Sequence, residues 1–257
     1  MFDTGAVLEL SGARLFMSAA GPADAPPILM LHGGLGSRHD FAPLSQMLCS
    51  SHRLLALDTR GHGRSTIGGL PLTYECLEQD LVEVIRRMNC GPVGLIGHSD
   101  GGIVALRVAA SGHVPLRFVV AAGAHWDLKE DDPTRGLYTA LTSDEWRQMF
   151  PSGVSSYEKE NPEPDFERLF AAVKSMWLGA GSSAYPGETV RRIDCPLLAI
   201  RGDDDFLVSL ENAVELIDRV KNARLLNIPF VGHDVFREGL PSLQPSLKTF
   251  LEHVDTG

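Results

Sequence analysis

The stretch Leu95-Ile-Gly-His-Ser-Asp-Gly-Gly-Ile-Val-Ala-Leu106 sets a serine between glycines, at the junction of two different hydrophobic patterns. Pro92–Ile96, before it, is a short apolar run of the length of a buried strand. Ile103–Ala110, after it, continues as a helix. Gly97-His98-Ser99-Asp100-Gly101 therefore falls on a strand-to-helix turn. A turn this tight lifts the serine oxygen out of the sheet, and side chains at the flanking positions would clash with neighbouring backbone. The pentapeptide fits G-x-S-x-G, but chance alone supplies about 0.2 such matches in a chain this long. Context must decide.

Outward from this turn, short apolar runs alternate with longer amphipathic ones, the pattern of βαβ units in a largely parallel sheet. Candidate strands are Val7–Leu10, Leu15–Ala19, Ile28–Leu31, Leu54–Leu57, Val93–Ile96, Phe118–Ala122, Leu197–Ile200 and Leu225–Ile228. Candidate helices are Asp40–Cys49, Tyr74–Met88, Asp100–Ala110, Leu210–Val220 and Leu240–His253. From Ala124 to Gly187 the alternation stops, and the chain turns polar, acidic and proline-punctuated, with Trp126, Trp146 and Trp177 inside it. That segment is too long for an ordinary connection. It reads as an inserted helical cap over 124–187, with Ser143–Phe150 and Phe166–Leu178 as its helices, on a core formed by 1–123 and 188–257. At least two of the tryptophans read as cap core.

The chain has 257 residues, 44% of them hydrophobic, enough for a large buried core. Its net charge of -10, with no basic stripe, argues against nucleic acid or an anionic membrane as partner. No run approaches the roughly 20 apolar residues of a membrane span. The opening MFDTGAVLELSG lacks the basic start and apolar run of a signal peptide, so the expected compartment is the cytoplasm. Cys49, Cys76, Cys90 and Cys195 lack the spacing of a zinc site or redox pair.

A serine hydroxyl needs a base that can also protonate the leaving group. Among nine histidines, His233 follows the last candidate strand in a loop before a helix. His32 and His62 sit in glycine-rich turns, and His98 lies inside the serine turn. The base needs a carboxylate to fix its tautomer. Arg201-Gly-Asp-Asp-Asp-Phe206 supplies Asp203, Asp204 and Asp205, and Asp127 is a further candidate. Oxyanion donors are expected from the Gly34 N–H, in a glycine-rich turn after Ile28–Leu31, and from the N–H of Asp100. Leu35 and Trp126 are candidate substrate contacts. The glycine-rich turn lacks both G-x-G-x-x-G and a P-loop lysine, which disfavours phosphate binding.

Together these motifs resemble the α/β-hydrolase fold family in its serine-hydrolase branch. His32-Gly-Gly34 resembles its oxyanion loop, and Asp58-Thr-Arg-Gly-His-Gly-Arg-Ser65 its D-x-R-G-x-G-x-S turn. Gly97–Gly101 resembles the nucleophile elbow, Gly202–Asp205 the acid loop and Gly232-His233 the histidine loop. The resemblance implies a mostly parallel eight-stranded sheet flanked by helices and a triad of Ser99, Asp205 and His233. It singles out Asp205 because the family's acid stands three residues after the glycine. Ser209 departs from the family's frequent proline, which touches loop rigidity and not chemistry. A serine nucleophile excludes the haloalkane dehalogenase and epoxide hydrolase branches.

Ser99-Asp-Gly-Gly-Ile103 is closer to the biphenyl-hydrolase-like group, which includes valacyclovir hydrolase. In that group the aspartate after the serine recognises the amino group of α-amino-acid esters. For Asp100 the competing reading is a solvated first-turn carboxylate favoured by the helix dipole. The expected activity is hydrolysis of a small carboxylic ester, an α-amino-acid ester among the candidates, with no metal or organic cofactor. Lactonases, thioesterases, carbon–carbon hydrolases and perhydrolases use the same triad. A ligand receptor on this fold is the alternative from another class.

Overall fold

The structure, a computed structural model, describes residues 2–256. The chain opens with a hairpin, β1 (Gly5–Leu10) and β2 (Ala13–Ala20), turned through Ser11 and Gly12, both at positive φ. Six further strands follow: β3 (Pro27–Leu31), β4 (Arg53–Leu57), β5 (Val93–His98), β6 (Leu116–Ala122), β7 (Leu197–Gly202) and β8 (Ala223–Ile228). They form one eight-stranded sheet in the order β1-β2-β4-β3-β5-β6-β7-β8. Among the described residues, only the β1/β2 and β2/β4 pairings are antiparallel. The inner strands are buried at nearly every position while β1 and β8 stay partly exposed, because helices cover both faces of the centre. Continuous apolar runs such as Leu54–Leu57 follow from that.

On one face pack α2 (Tyr74–Met88), α3 (Asp100–Ser111) and α8 (Leu210–Arg219). On the other lie α1 (Ala42–Leu48), the single turn α9 (Val235–Glu238) and α10 (Leu240–Thr256). Their starts follow local chemistry. Thr73 caps α2 by accepting the Cys76 N–H, and Ser209 caps α8 by accepting from Asn212. The run Asp40–Cys49, expected as one helix, divides into a 3-10 turn over Arg38–Phe41 and then α1. A Ser37–Asp40 capping box closes the first, and Pro43 sits at the start of the second.

Between β6 and β7 lie four helices: α4 (Pro133–Ala140), α5 (Ser143–Met149), α6 (Pro151–Glu160) and α7 (Phe166–Trp177). Two of them, α4 and α6, were not expected, because each begins on a proline that reads as a break. Proline at the first helical position costs no hydrogen bond. The end of α6 is fastened to the turn after β4. The Asn161 amide nitrogen lies 3.1, 2.9 and 3.0 Å from the carbonyls of Gly61, Gly63 and Ser65. Glu160 takes a 2.8 Å bond from the buried Arg38, which also holds Asp58 at 2.6 Å.

The tightest packing is where α3 begins. A Cβ at Gly101 would run into the Leu31 carbonyl, and one at Gly97 into the Gly101 carbonyl. Gly136, on the exposed side of α4, has open space around it. We therefore expect Gly101→Ala to destabilise the protein by more than about 3 kcal/mol. Gly136→Ala should raise stability by up to about 1 kcal/mol. Urea unfolding of both variants measures the contrast.

Candidate active site

Ser99 stands between β5 and α3 with φ 50 and ψ -117. A non-glycine residue there is strained by roughly 1–3 kcal/mol and needs its surroundings to hold it. The Ser99 N–H donates to the Ala122 carbonyl at 2.7 Å, and the Ser99 carbonyl accepts from Ile103 at 3.0 Å. Backbone is thus pinned on both sides while the side chain stays free.

Ser99 Oγ lies 3.0 Å from His233 Nε2, and His233 Nδ1 lies 2.9 Å from Asp205 Oδ2. The three residues come from the carboxyl ends of β5, β7 and β8, where loops of a parallel sheet converge. An ionised carboxylate only accepts, so it keeps the His233 proton on Nδ1 and turns the Nε2 lone pair to the serine hydroxyl. Asp205 Oδ1 accepts the N–H groups of Leu207 and Val208 at 2.9 and 3.0 Å. Burial alone would push its pKa up, but the His233 contact and these amides bring it below the usual carboxylate value. Asp203 points elsewhere, to Asn227 and Arg201, while Asp204 is exposed. Asp127 meets Asn212 through its carbonyl.

The turn after β3 lies against the serine: a Cβ on Gly33 would sit 3.1 Å from Ser99 Cβ. Gly36 N–H closes this turn on the Gly33 carbonyl at 3.1 Å, with Leu35 at φ 59. Among the described residues no acceptor engages the Gly34 N–H. The Asp100 N–H opens α3, where the first amides have no partner within the helix.

The Asp100 side chain is not solvated. It is 5% exposed, and Oδ1 accepts from the Tyr74 hydroxyl at 2.7 Å. Trp177 Nε1 donates to both carboxylate oxygens, at 3.0 and 2.9 Å. Burial raises its pKa, partly offset by these two hydrogen bonds. No lysine or arginine pairs with it among the described residues. Sequence reasoning missed both donors: Tyr74 sits 26 positions away and Trp177 77 positions away, and neither lies in a motif. Tyr138 stacks on Trp177 with ring centroids 4.7 Å apart, and Tyr185 packs on Tyr74 at 5.1 Å. Trp177 also covers Gly34, whose Cβ would lie 2.7 Å from its ring.

The two suggested substrate contacts are placed differently. Leu35 is half-buried against the same apolar cluster as Trp177. Trp126 is buried on the α8 side, with the Arg219 guanidinium 4.1 Å above its ring. Flanking His233, the elbow residue His98 donates Nε2–H to the His233 carbonyl at 2.9 Å. His125 is buried with its Nε2 unpartnered among the described residues. Also among the described residues, no three His, Cys, Asp or Glu side chains converge as a metal site requires, and no helix is long and apolar enough to cross a membrane.

Residues 28–243 match the model of the alpha/beta hydrolase family, and the chain belongs to that family. It is similar to the bifunctional esterase/perhydrolase DCH of Acinetobacter calcoaceticus, at 27% identity over 96% of this chain and 99% of that one. It is likewise similar to the serine hydrolase BPHL of Mus musculus, at 27% identity covering 97% and 87%. Among solved structures, a putative lipase from Acinetobacter baumannii superposes with a TM-score of 0.84 at 19% identity, covering 98% and 92%. The chain is a hydrolase of the α/β fold.

Burial holds His62, His98 and His125 well below the ordinary value of 6.5, His62 at about 3 and the other two at about 4. Above pH 6.5 these groups are neutral folded and unfolded, and contribute no pH dependence. Below it the unfolded chain takes up protons that the folded protein refuses until about pH 4, so stability must fall with pH over that window. Each group contributes about 3 kcal/mol to the loss. The thermal midpoint should drop steeply from pH 6.5 to 4, and replacing His98 with asparagine should flatten the slope. An unchanged slope would contradict the assignment.

Proposed function

We propose that this protein hydrolyses small carboxylic esters through an acyl-serine intermediate. The observation that carries the reading is the hydrogen-bond chain Ser99–His233–Asp205, built around a strained serine beside unclaimed backbone N–H groups. Ser99 Oγ attacks the ester carbonyl as His233 Nε2 takes its proton. Asp205 stabilises the imidazolium that results. The Gly34 and Asp100 N–H groups hold the tetrahedral oxyanion. Collapse expels the alcohol, which leaves with the proton from His233. Water then repeats the sequence on the acyl-serine, releasing the acid and restoring the hydroxyl. The segment 124–187 acts as a cap, with Trp177 and its stacked neighbours bounding the acyl side. Lactones, thioesters, vinylogous carbon–carbon bonds and peroxide as acyl acceptor fit the same serine chemistry. A receptor would be acylated once without turnover.

A narrower reading, of α-amino-acid esters, is favoured by the state of Asp100. It is a buried carboxylate beside the oxyanion site with two neutral donors and, among the described residues, no cationic partner. Anionic charge there opposes the developing oxyanion, and a substrate ammonium would neutralise it. Unpaired buried charge is expensive, so the gain on binding a cation is large.

Ser99→Ala should abolish multiple turnover of 4-nitrophenyl acetate, and Asp205→Asn should lower kcat by about 10³–10⁴ through the wrong histidine tautomer. Retained turnover in Ser99→Ala would remove the serine mechanism. Asp100→Asn keeps an oxygen where Tyr74 and Trp177 both donate, so the variant should fold. It should reduce kcat/KM for amino-acid esters at least tenfold more than for matched neutral esters. Equal losses on both substrates would leave the simple-ester reading standing alone.

A further inference from the structure

The oxyanion turn and the Asp58–Ser65 turn exchange histidines. His62, from the second turn, is 1% exposed, with Nδ1 2.8 Å from the Arg60 carbonyl and 3.1 Å from Thr59 Oγ1. Its Nε2 lies 3.1 Å from the Leu35 nitrogen. A carbonyl only accepts and an amide N–H only donates, so the ring carries its proton on Nδ1 and offers Leu35 a lone pair. Burial, reinforced by nearby His32, keeps it in that form by lowering its pKa to about 3. His32, from the first turn, reaches the opposite way. Its Nδ1 is 2.8 Å from the Gly33 carbonyl, and its Nε2 accepts the Thr59 N–H at 3.1 Å. The rings are 4.9 Å apart, and the Thr59 hydroxyl lies between them, within 3.1 Å of one and 3.3 Å of the other.

Two of these contacts fall on the peptide planes on either side of Gly34. The Gly33 carbonyl and the Gly34 N–H share one rigid plane and point in opposite directions. Holding that carbonyl from His32 Nδ1 and from Gly36 N–H therefore aims the Gly34 N–H. The next plane, Gly34–Leu35, is held by His62, which keeps Leu35 in a left-handed conformation its side chain disfavours. Without these holds Gly34, free of a Cβ, would rotate readily.

We propose that His32 and His62 form a reciprocal clasp that aims the Gly34 N–H at the tetrahedral oxyanion, with His62 a positioning residue for catalysis. The proposal rests on the acyl-serine reading. Neither histidine touches the reacting atoms; the clasp acts through the geometry of one amide. The strength it adds appears only when negative charge develops, so it bears on kcat and not on substrate affinity.

The test compares His62→Phe, which keeps a flat ring without a lone pair, with His62→Gln, which returns a side-chain oxygen acceptor. Thr59→Val, which loses the hydroxyl between the rings, provides a milder break should His62→Phe not fold. For each, kcat and KM on a 4-nitrophenyl ester are measured beside the inhibition constant of an alkyl boronic acid, whose serine adduct mimics the tetrahedral intermediate. His62→Phe should lower kcat by about 10–100-fold with KM within about threefold, and boronate affinity should weaken in parallel. His62→Gln should recover most of both, and Thr59→Val should show the same split at about 3–10-fold. A folded His62→Phe or Thr59→Val with natural kcat overturns the clasp. So does a joint loss in kcat and KM that glutamine does not rescue. Ser99→Ala, run alongside, separates the two readings: turnover surviving in it overturns the serine mechanism itself, whereas a dead Ser99→Ala beside an unimpaired His62→Phe overturns the clasp alone.

Discussion

The contact on which the site depends is backbone against backbone, where the first turn of α3 lies on β3 and β5. Side chains are missing at Gly97, Gly101 and Gly102 because each would strike a carbonyl, an amide or a neighbouring Cβ. That approach carries Ser99 into a conformation costing roughly 1–3 kcal/mol, a cost the sheet offsets by close packing and the bond to the Ala122 carbonyl. Two results follow together. The hydroxyl stands clear of its own backbone, and the unpaired amides of the helix start lie next to it. The exposed hydroxyl and the unpaired amides beside it are therefore products of one steric constraint.

A second constraint is desolvation. His233, hydrogen-bonded to Ser99 Oγ, is flanked by two histidines, His98 and His125, that burial keeps neutral. Neither sets a positive charge beside its ring. The buried arginines Arg60 and Arg38, by contrast, are paired with carboxylates. Arg60 holds Asp80 at 2.5 and 2.8 Å, and Arg38 bridges Asp58 and Glu160. These pairs secure the turn after β4 and the end of α6, and so brace the element that carries His62. Breaking one partner would leave an uncompensated buried charge, so the pairs are rigid fixtures.

Much of this was legible in the sequence because it is local. All eight strands appear as apolar runs bounded by turn residues, and the structure extends each by one or two residues, mostly at one end, in places where pairing continues into polar positions such as His98 and Arg201. The serine turn, the glycine-rich turn and the aspartate loop are contiguous segments whose backbone demands show in their glycines. The unforeseen features join distant segments. Nothing near Trp177 marks it as a donor to Asp100, since its place at the end of an amphipathic helix equally suits a core residue. The helices α4 and α6 escaped notice because proline signals a break and a helix start alike. The histidine exchange between turns was hidden for the same reason: His32 and His62 each suit a tight turn, and only their mutual reach gives them a shared purpose.

Asp100 ties these threads together. Its N–H opens α3 while its carboxylate is held by Tyr74 from α2 and Trp177 from α7. One of its two donors thus belongs to the helices inserted between β6 and β7, and that same indole covers Gly34. Any displacement of α7 that uncovers Gly34 also withdraws a hydrogen bond from a buried carboxylate. The cost of that loss, about 1–3 kcal/mol for a charged acceptor, opposes opening. The position of α7 and the environment of the Asp100 carboxylate are therefore coupled through one indole.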